Sequence, residues 1–507
     1  MVKLALTLAC AAALSAQSLQ KFRTFYPPGD PAIPAELRAF TAKKATASDG
    51  ATWTAAARGL YRNTNEYSSG KRYLPDDEVL ALFPDAARGM WVRTRTGVSH
   101  IELRPMTLEQ KAAAFEDRVR LRHDRYGMVA DSHLANAGDL STNQLEANDN
   151  DGLWTAMYGA AECFRYGVTK DPEALRLARK AIDAVLFLED VTGVPGLPAR
   201  SYVKKGDPRP DDGVWHWTAD GQIQWKGDTS SDELVGHFFL LSVAYDTIND
   251  DALKLRLKNA ARRMMDHIVS HGYYLVDVTG KPTTWGKWST EYFAGAGKSD
   301  SALNALELLS FLKTTQHLTG DPKYDAEFKK VAVRMKYAAQ AARYLELREE
   351  INYSDEELAM LSFYPFFRYE KDPAMLGPMR RALDQWWQNC QREKNPLWTY
   401  IYSVGRPDRR TDFAAALATL ERIPMDLITW KVINSDRRDL VMDKELDRAR
   451  ERQARTLLPP DERPVMKWNG NPFVVDGGNG GHSEDDGGFF LLAYWMGRST
   501  GAVPATR

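Results

Sequence analysis

Cysteine is scarce: the 507 residues include three. Cys10 sits in an N-terminal apolar run, while Cys163 and Cys390 fall in helix-period stretches with no Cys or His at metal-ligand spacing. That pattern favours two buried free thiols over a disulfide between them, and it gives no support to a zinc knuckle or a cysteine nucleophile. A surplus of either charge is missing too. Lys and Arg number 67 against 68 Asp and Glu, for a formal net charge of −1, so no global field draws nucleic acid or an anionic membrane, and any preference for a charged ligand is local. Beyond the first residues no apolar run is long enough to span a bilayer. Glycines cluster late, at 470, 477, 478, 480, 481, 487 and 488, but no strand leads them into a dinucleotide fingerprint or a Walker loop. They read as a tight turn or as a loop that closes over a ligand. With no His-Glu-x-x-His pattern either, no metal and no other cofactor is expected.

What is present begins with a processing signal. Lys3, the apolar run from Leu4 to Leu14 and then Ser15-Ala16 make a short secretory signal peptide over 1–16, which predicts a secreted or periplasmic protein. Pro27-Pro28-Gly29-Asp30-Pro31 reads as an extended arm. Residues 52–62, with Trp53, Gly59 and Tyr61, are echoed by 90–102, with Trp91, Gly97 and Ile101, and such alternating runs broken by Gly are strand-turn-strand signals. The two stretches resemble the blade repeats of sensor-type β-propellers. Two blades do not close a propeller, so the resemblance implies a small β-rich appendage over 17–105.

From Met106 the period turns helical, over 107–126, 151–168, 172–189, 232–248, 251–271, 300–318, 322–348, 355–369, 373–392, 412–433, 443–455 and 486–498. One corner chemistry recurs at Asp171-Pro172, Asp321-Pro322 and Asp372-Pro373, with Asn249-Asp250-Asp251 as a fourth corner without proline. Asp caps the orphan N–H groups of a new helix, and Pro takes its first position, where no N–H is needed. Each corner therefore joins two helices of a hairpin, giving an irregular series of six αα-hairpins over 106–507. Stretches starting at 151, 232, 300, 355 and 486 are the more apolar and suit an inner ring. Those starting at 172, 251, 322, 373 and 443 carry charge on one face and suit an outer ring. Pro396 and Pro424 blur the pairing across 396–440.

Hairpin number, Asp-Pro corners and an acidic, aromatic-rich edge resemble the six-hairpin glycosidase-like (α/α)6 barrels over about residues 106–500. The resemblance implies a mainly α fold, an (α/α)6 barrel carrying the small N-terminal β-rich appendage. It also implies a carbohydrate-active enzyme whose cleft lies at the loops entering the inner helices. Because this barrel hosts hydrolases, lyases and epimerases, it does not choose the reaction.

Acidic clusters stand at those entrances: Asn148-Asp149-Asn150-Asp151, Asp228 to Glu233, Ser299-Asp300, Ser354-Asp355-Glu356-Glu357 and Ser483-Glu484-Asp485-Asp486. Inner helices of one handedness bring them to one rim. Capping explains part of this, since Ser230 with Glu233 and Ser354 with Glu357 fit capping boxes. Glycoside hydrolysis needs a carboxylic acid to protonate the leaving oxygen and a carboxylate to activate water or attack the anomeric carbon. The candidates are Asp149 or Asp151 against Asp232 or Glu233, with Glu484 and Asp485 in reserve. Glu233 and His237 share a helix face, either as a charged pair in the cleft or as a histidine satisfied in the core.

Fourteen tryptophans include many on entrance loops. Trp215, Trp217, Trp225, Trp285, Trp288 and Trp398, with Tyr400, Lys287, Glu291 and His482, are candidates for binding sugar rings and hydroxyls, or for covering the end of the barrel. A competing elimination on uronic acids needs a Tyr or His base and a cation for the carboxylate, roles open to Tyr292, His237, Lys287, Arg200 and His482. The leading expectation is a glycoside hydrolase acting on an oligo- or polysaccharide, neutral or uronic-acid-containing. A polysaccharide lyase and a non-catalytic glycan-binding or sensor protein follow.

Overall fold

The computed structural model describes residues 17–505, so the expected signal segment with Cys10 lies outside the described residues. The architecture is mainly α. Twelve of its helices build the larger part, alternating in burial along the chain: α1 (Leu108–Arg118), α2 (Asp151–Thr169), α3 (Pro172–Asp190), α4 (Ser231–Thr247), α5 (Asp251–Ser270), α6 (Ser301–Thr319), α7 (Pro322–Lys329), α8 (Tyr353–Tyr369), α9 (Pro373–Cys390), α10 (Pro396–Gly405), α11 (Phe413–Arg422) and α12 (Gly488–Thr500). Helix α4 is buried on nearly every side, whereas α5 keeps Leu253, Leu257, Ala260 and Met264 inside and turns its charged residues out. An all-round apolar helix needs neighbours on all sides, and a one-faced helix needs only one layer beneath it. Accordingly α2, α4, α6, α8, α10 and α12 pack each on the next and α12 returns to α2, with α1, α3, α5, α7, α9 and α11 against their outsides.

The corners form as their chemistry requires. Asp171, Asp321 and Asp372 each accept a hydrogen bond from the N–H two residues on, at 3.0, 2.9 and 2.9 Å, and Pro172, Pro322 and Pro373 open the helices. Before the first two, the chain reverses through Lys170 (φ 58°) and Gly320 (φ 69°) in the left-handed region. Asp250 caps α5 through the Leu253 N–H at 2.8 Å.

The helix expected over 412–433 ends at Arg422, and four further expectations fail, each for a visible reason. Residues 443–455 are not helical: Leu446 is the sole large apolar residue there and is exposed, so a helix would have no face to bury. The segment instead folds back on itself, with Asp443 N–H bonding Gln453 O and Arg450 at φ 66°. The fifth inner helix is α10, which Asn395 caps and Pro396 opens, so Pro396 starts a helix rather than blurring one. The stretch 322–348 breaks after α7 through a π turn (Lys330–Arg334) and Lys336 at φ 62°, which lets the Tyr337 hydroxyl reach Trp288 O at 2.5 Å. Neither capping box forms: the Ser230 hydroxyl caps nothing, and Asn352 rather than Ser354 caps α8.

Residues 18–106 form two four-stranded antiparallel sheets. One has the order β1 (Ser18–Tyr26), β8 (Val98–Met106), β7 (Met90–Thr94), β6 (Val79–Pro84); the other runs β2 (Lys44–Thr46), β3 (Thr52–Ala55), β4 (Leu60–Arg62), β5 (Glu66–Ser68). Trp53 and Leu60 from one sheet share a core with Leu82, Val92 and Ile101 from the other. The echoed stretches are the β3–β4 and β7–β8 hairpins, one in each sheet. Strand β1 ties the sheets to the helices: buried Lys111 of α1 donates to Gln20 Oε1 at 2.9 Å and Leu420 O at 3.1 Å, and Lys21 pairs with Asp461 at 2.9 Å. Cys163 and Cys390 are free and buried. Among the described residues no helix is long and apolar enough to cross a membrane.

Candidate active site

Three inner helices, α4, α6 and α8, begin at one cavity of about 350 Å³. Its wall carries four carboxylates, Asp149, Asp232, Asp300 and Asp355, with Arg200 and Arg448 among them, Trp285 and Tyr292 as aromatic members and Leu303 and Leu358 as apolar ones. The positive ends of three helix dipoles meet there, which favours acidic side chains and polar ligands over an apolar guest.

Asp149 precedes α2 and is held from the side. Its carboxylate lies 2.5 Å from the Lys226 ammonium and 4.0 Å from Arg200, and its backbone carbonyl accepts from Arg200 Nη1 at 3.1 Å. Partial burial pushes this carboxyl up, but the two cations outweigh it and hold it below the usual carboxylate range. Asp232, in the first turn of α4, shifts the other way. Burial raises it, against the pull of Arg200 and a 3.4 Å hydrogen bond from Asn150 Nδ2.

Asp355, in the first turn of α8, moves furthest. Burial and the negative charges of Asp300 and Asp232 push it up to about 7, although Arg448 and a 2.7 Å hydrogen bond from Asn352 favour the anion. Asp300 accepts from the Tyr292 hydroxyl at 2.9 Å and from Ser299 Oγ at 2.9 Å. Burial, then that bond, pushes the Tyr292 phenol up, so Tyr292 is a donor and a poor base. Trp285 is 55% exposed and leaves a flat ring face open at the cavity wall.

Beneath this wall lie acids that burial keeps neutral. Glu307 is pushed up to about 8 and accepts from Trp288 Nε1 at 2.8 Å. Glu357 is pushed up to about 8 and Glu233 well above the carboxylate range, both chiefly by burial. Each has one oxygen without a hydrogen-bond partner. Glu233 Oε1 accepts from Leu153 N–H at 3.4 Å, so this candidate sits between α4 and α2 rather than on the wall.

The other candidates are placed elsewhere by burial. Asp151 is fully buried, 2.5 Å from Arg125 and bonded by Ser201 Oγ, where burial lifts it to about 6. His237 has its two ring nitrogens at Glu233 O (2.6 Å) and Val185 O (3.2 Å), and burial lowers it to about 4, so it is the core histidine and not a cleft base. Burial would raise Glu484, but His123, Arg122 and Arg118 together hold it at about 2. Asp485 is lifted to about 6 by burial, against the pull of Lys467.

Trp225 packs in a small core beside α3, and Trp398 and Tyr400 are fully buried, with Trp398 Nε1 donating to Glu393 at 3.3 Å. Trp288 is fully buried against Glu307. Trp215 donates to Asp212 O at 2.8 Å; Trp217, 53% exposed, is its strand neighbour on the β-ribbon of 201–226. Lys287 lies over the Tyr292 ring at 5.5 Å, Glu291 is exposed, and His482 turns Nδ1 to Leu134 O at 3.0 Å. Tertiary folding thus brings Asp149, Asp232, Trp285 and Tyr292 to one cavity and leaves the rest off its wall. Asp300 and Asp355 look like helix-start acids in the sequence, and Arg448 lies in a stretch whose pattern suggests a helix, so their place on this wall emerges only in the fold.

A larger hollow, about 800 Å³, lies at the sheets near Trp430. Two ion pairs cross its wall, Arg58 with Asp77 at 3.5 Å and Arg95 with Glu78 at 3.0 Å.

No family model matches the chain, and no curated protein matches it. Among solved structures, a D-mannose isomerase is similar over 78% of this chain and 97% of its own, at 11% identity and a TM-score of 0.40. A sugar epimerase from a ruminal bacterium is similar over 76% and 97%, at 10% identity and a TM-score of 0.29. Likeness this distant leaves the chemistry to be read from this chain's own residues.

Proposed function

We propose that the chain is an exported carbohydrate-active enzyme, a glycoside hydrolase on an (α/α)6 barrel, cleaving an oligo- or polysaccharide at the cavity of Asp232 and Asp355. The observation that carries the reading is the divergence of carboxyl groups within one small cavity. Asp355 is raised to about 7 while Asp149 is held low, and environments that separate carboxyl groups in this way distinguish an acid from a group that stays ionised; Asp232 stands between them, lifted by burial and drawn back by Arg200. Asp355, which keeps a substantial protonated fraction at neutral pH, donates to the glycosidic oxygen as the bond to the anomeric carbon breaks. Asp232, which Arg200 draws toward the anion although burial leaves it raised on balance, takes the proton of the attacking water or itself attacks that carbon. Its charge also helps to keep Asp355 protonated. Asp149, fixed by Lys226 and Arg200, accepts from sugar hydroxyls, and Trp285 stacks on a ring face.

Elimination from a uronate has less support, because Tyr292 is tied to Asp300 as a donor. The deciding assay digests neutral and uronate glycans, recording reducing ends and the ultraviolet absorbance of unsaturated uronates. New reducing ends without absorbance, lost in Asp232→Asn, are the expected result. Both signals together mean elimination, and binding with neither signal means a glycan-binding protein.

A further inference from the structure

Behind the cavity, a second group of side chains stands apart from this chemistry. Glu356 follows Asp355 in the first turn of α8, Cys390 ends α9, and Glu393 closes the short turn that leads to α10. One atom from each, a carboxylate oxygen of Glu356 and of Glu393 and the Cys390 sulfur, lie within 4.8 Å of one another. All three residues are buried, 1%, 4% and 0% exposed. Both oxygens of Glu356 and Oε1 of Glu393 lack a hydrogen-bond partner at ordinary geometry, although Glu393, Cys390 and the Asn389 amide lie close to Glu356, and that amide also reaches the Tyr344 hydroxyl at 3.4 Å. Unpartnered buried carboxylates are costly unless a ligand meets them.

We propose that Glu356, Cys390 and Glu393 form a structural site for one divalent, thiol-tolerant cation of the zinc class. Two carboxylates and a thiolate are donors such ions accept, and a water would complete the four-coordinate shell. A tetrahedral zinc sets its ligand atoms about 3.3–3.8 Å apart, so the three atoms need only draw together slightly. The charge closes as well. Two carboxylates and one thiolate carry three negative charges, balanced by the ion and by Arg463, a buried neighbour with two unpartnered nitrogens. Loading releases the thiol proton and any proton that the two carboxyl groups hold. The ion would pin the first turn of α8, and with it Asp355, to the α9–α10 corner. Sequence spacing conceals the set, because Glu356 is far from Cys390 along the chain and Glu393 supplies the only ligand near it.

The test uses the full chain refolded or expressed with Co²⁺ or Zn²⁺, then freed of loose metal by a weak chelator. The expected result is about one ion per chain by elemental analysis, a thiolate-to-cobalt charge-transfer band, and a higher melting temperature than the metal-free chain. Cys390→Ser removes the band, Cys163→Ser keeps it, and Glu356→Gln brings metal content to background. The competing account is a carboxyl pair sharing one proton against Arg463. It predicts no retained metal and a Glu356→Gln chain that melts at or above wild type, and that outcome overturns the proposal. Metal retained equally in Cys390→Ser and Glu356→Gln overturns it too. Should those variants not fold, the presence or absence of the cobalt–thiolate band in the otherwise intact Cys163→Ser chain decides.

Discussion

Replacing Asp355 by Asn separates stability from turnover. Asp355 is raised from 3.8 to about 7, and at 1.36 kcal/mol per unit that is on the order of 4 kcal/mol against the folded state when the group is ionised. With the folded-state value above the unfolded one, the native chain binds more protons between pH 4 and 7, so stability falls as pH rises through that window. The penalty is fully present above pH 7 and absent below pH 4. Asn keeps the shape and stays neutral, so at pH 8 the variant should be more stable by about 1–4 kcal/mol after relaxation, and at pH 4 equal to wild type. Activity should move oppositely. Loss of the general acid costs roughly 100- to 10,000-fold in kcat/KM on a natural glycan, and far less on an aryl glycoside whose leaving group needs no proton. The wild-type rate should decline on the alkaline side of pH 7, and that limb should vanish in the variant. Thermal melts at pH 4 and 8 with kcat/KM on both substrates test this. Natural-substrate turnover within about threefold of wild type, or a lower melting temperature at pH 8, would refute the reasoning and leave Asp355 as a helix-start acid.

Asp232→Asn should abolish glycan hydrolysis while its melting temperature stays level or rises; a less stable but active variant would make Asp232 a structural residue. Tyr292→Phe should slow hydrolysis only a few-fold, since it removes a bond to Asp300 and no reacting group; complete loss of turnover favours the elimination reading. Glu484→Gln tests a role in folding alone. Its value of about 2 against 4.5 makes it a stabilising carboxylate at pH 7, with stability lost as pH falls from about 4.5 toward 2. Urea melts at pH 7 should show a loss of about 3 kcal/mol, with normal turnover per folded molecule, and a normal melt would mean that Arg118, Arg122 and His123 do not hold it.

The sequence by itself determined the local events. Asp171, Asp321 and Asp372 with their prolines dictate helix starts because capping and φ restriction act within a few residues, and the apolar run of 232–248 dictates a helix covered on all sides. It also located Asp149, Asp232, Trp285 and Tyr292 as site candidates, because acids and aromatics at inner-helix entrances have few uses. What only the tertiary structure decided is which of those acids meets solvent and which is enclosed. Asp151, Glu233 and Glu484 share the chemistry of Asp232, but Arg125, the Leu153 backbone and the Arg118–Arg122–His123 cluster enclose them. The same holds for Arg448, which reaches the cavity because its segment has no apolar face to make a helix. A pKa and an ion pair depend on burial and on neighbours far away in the chain, and those are fixed only when the helices have packed.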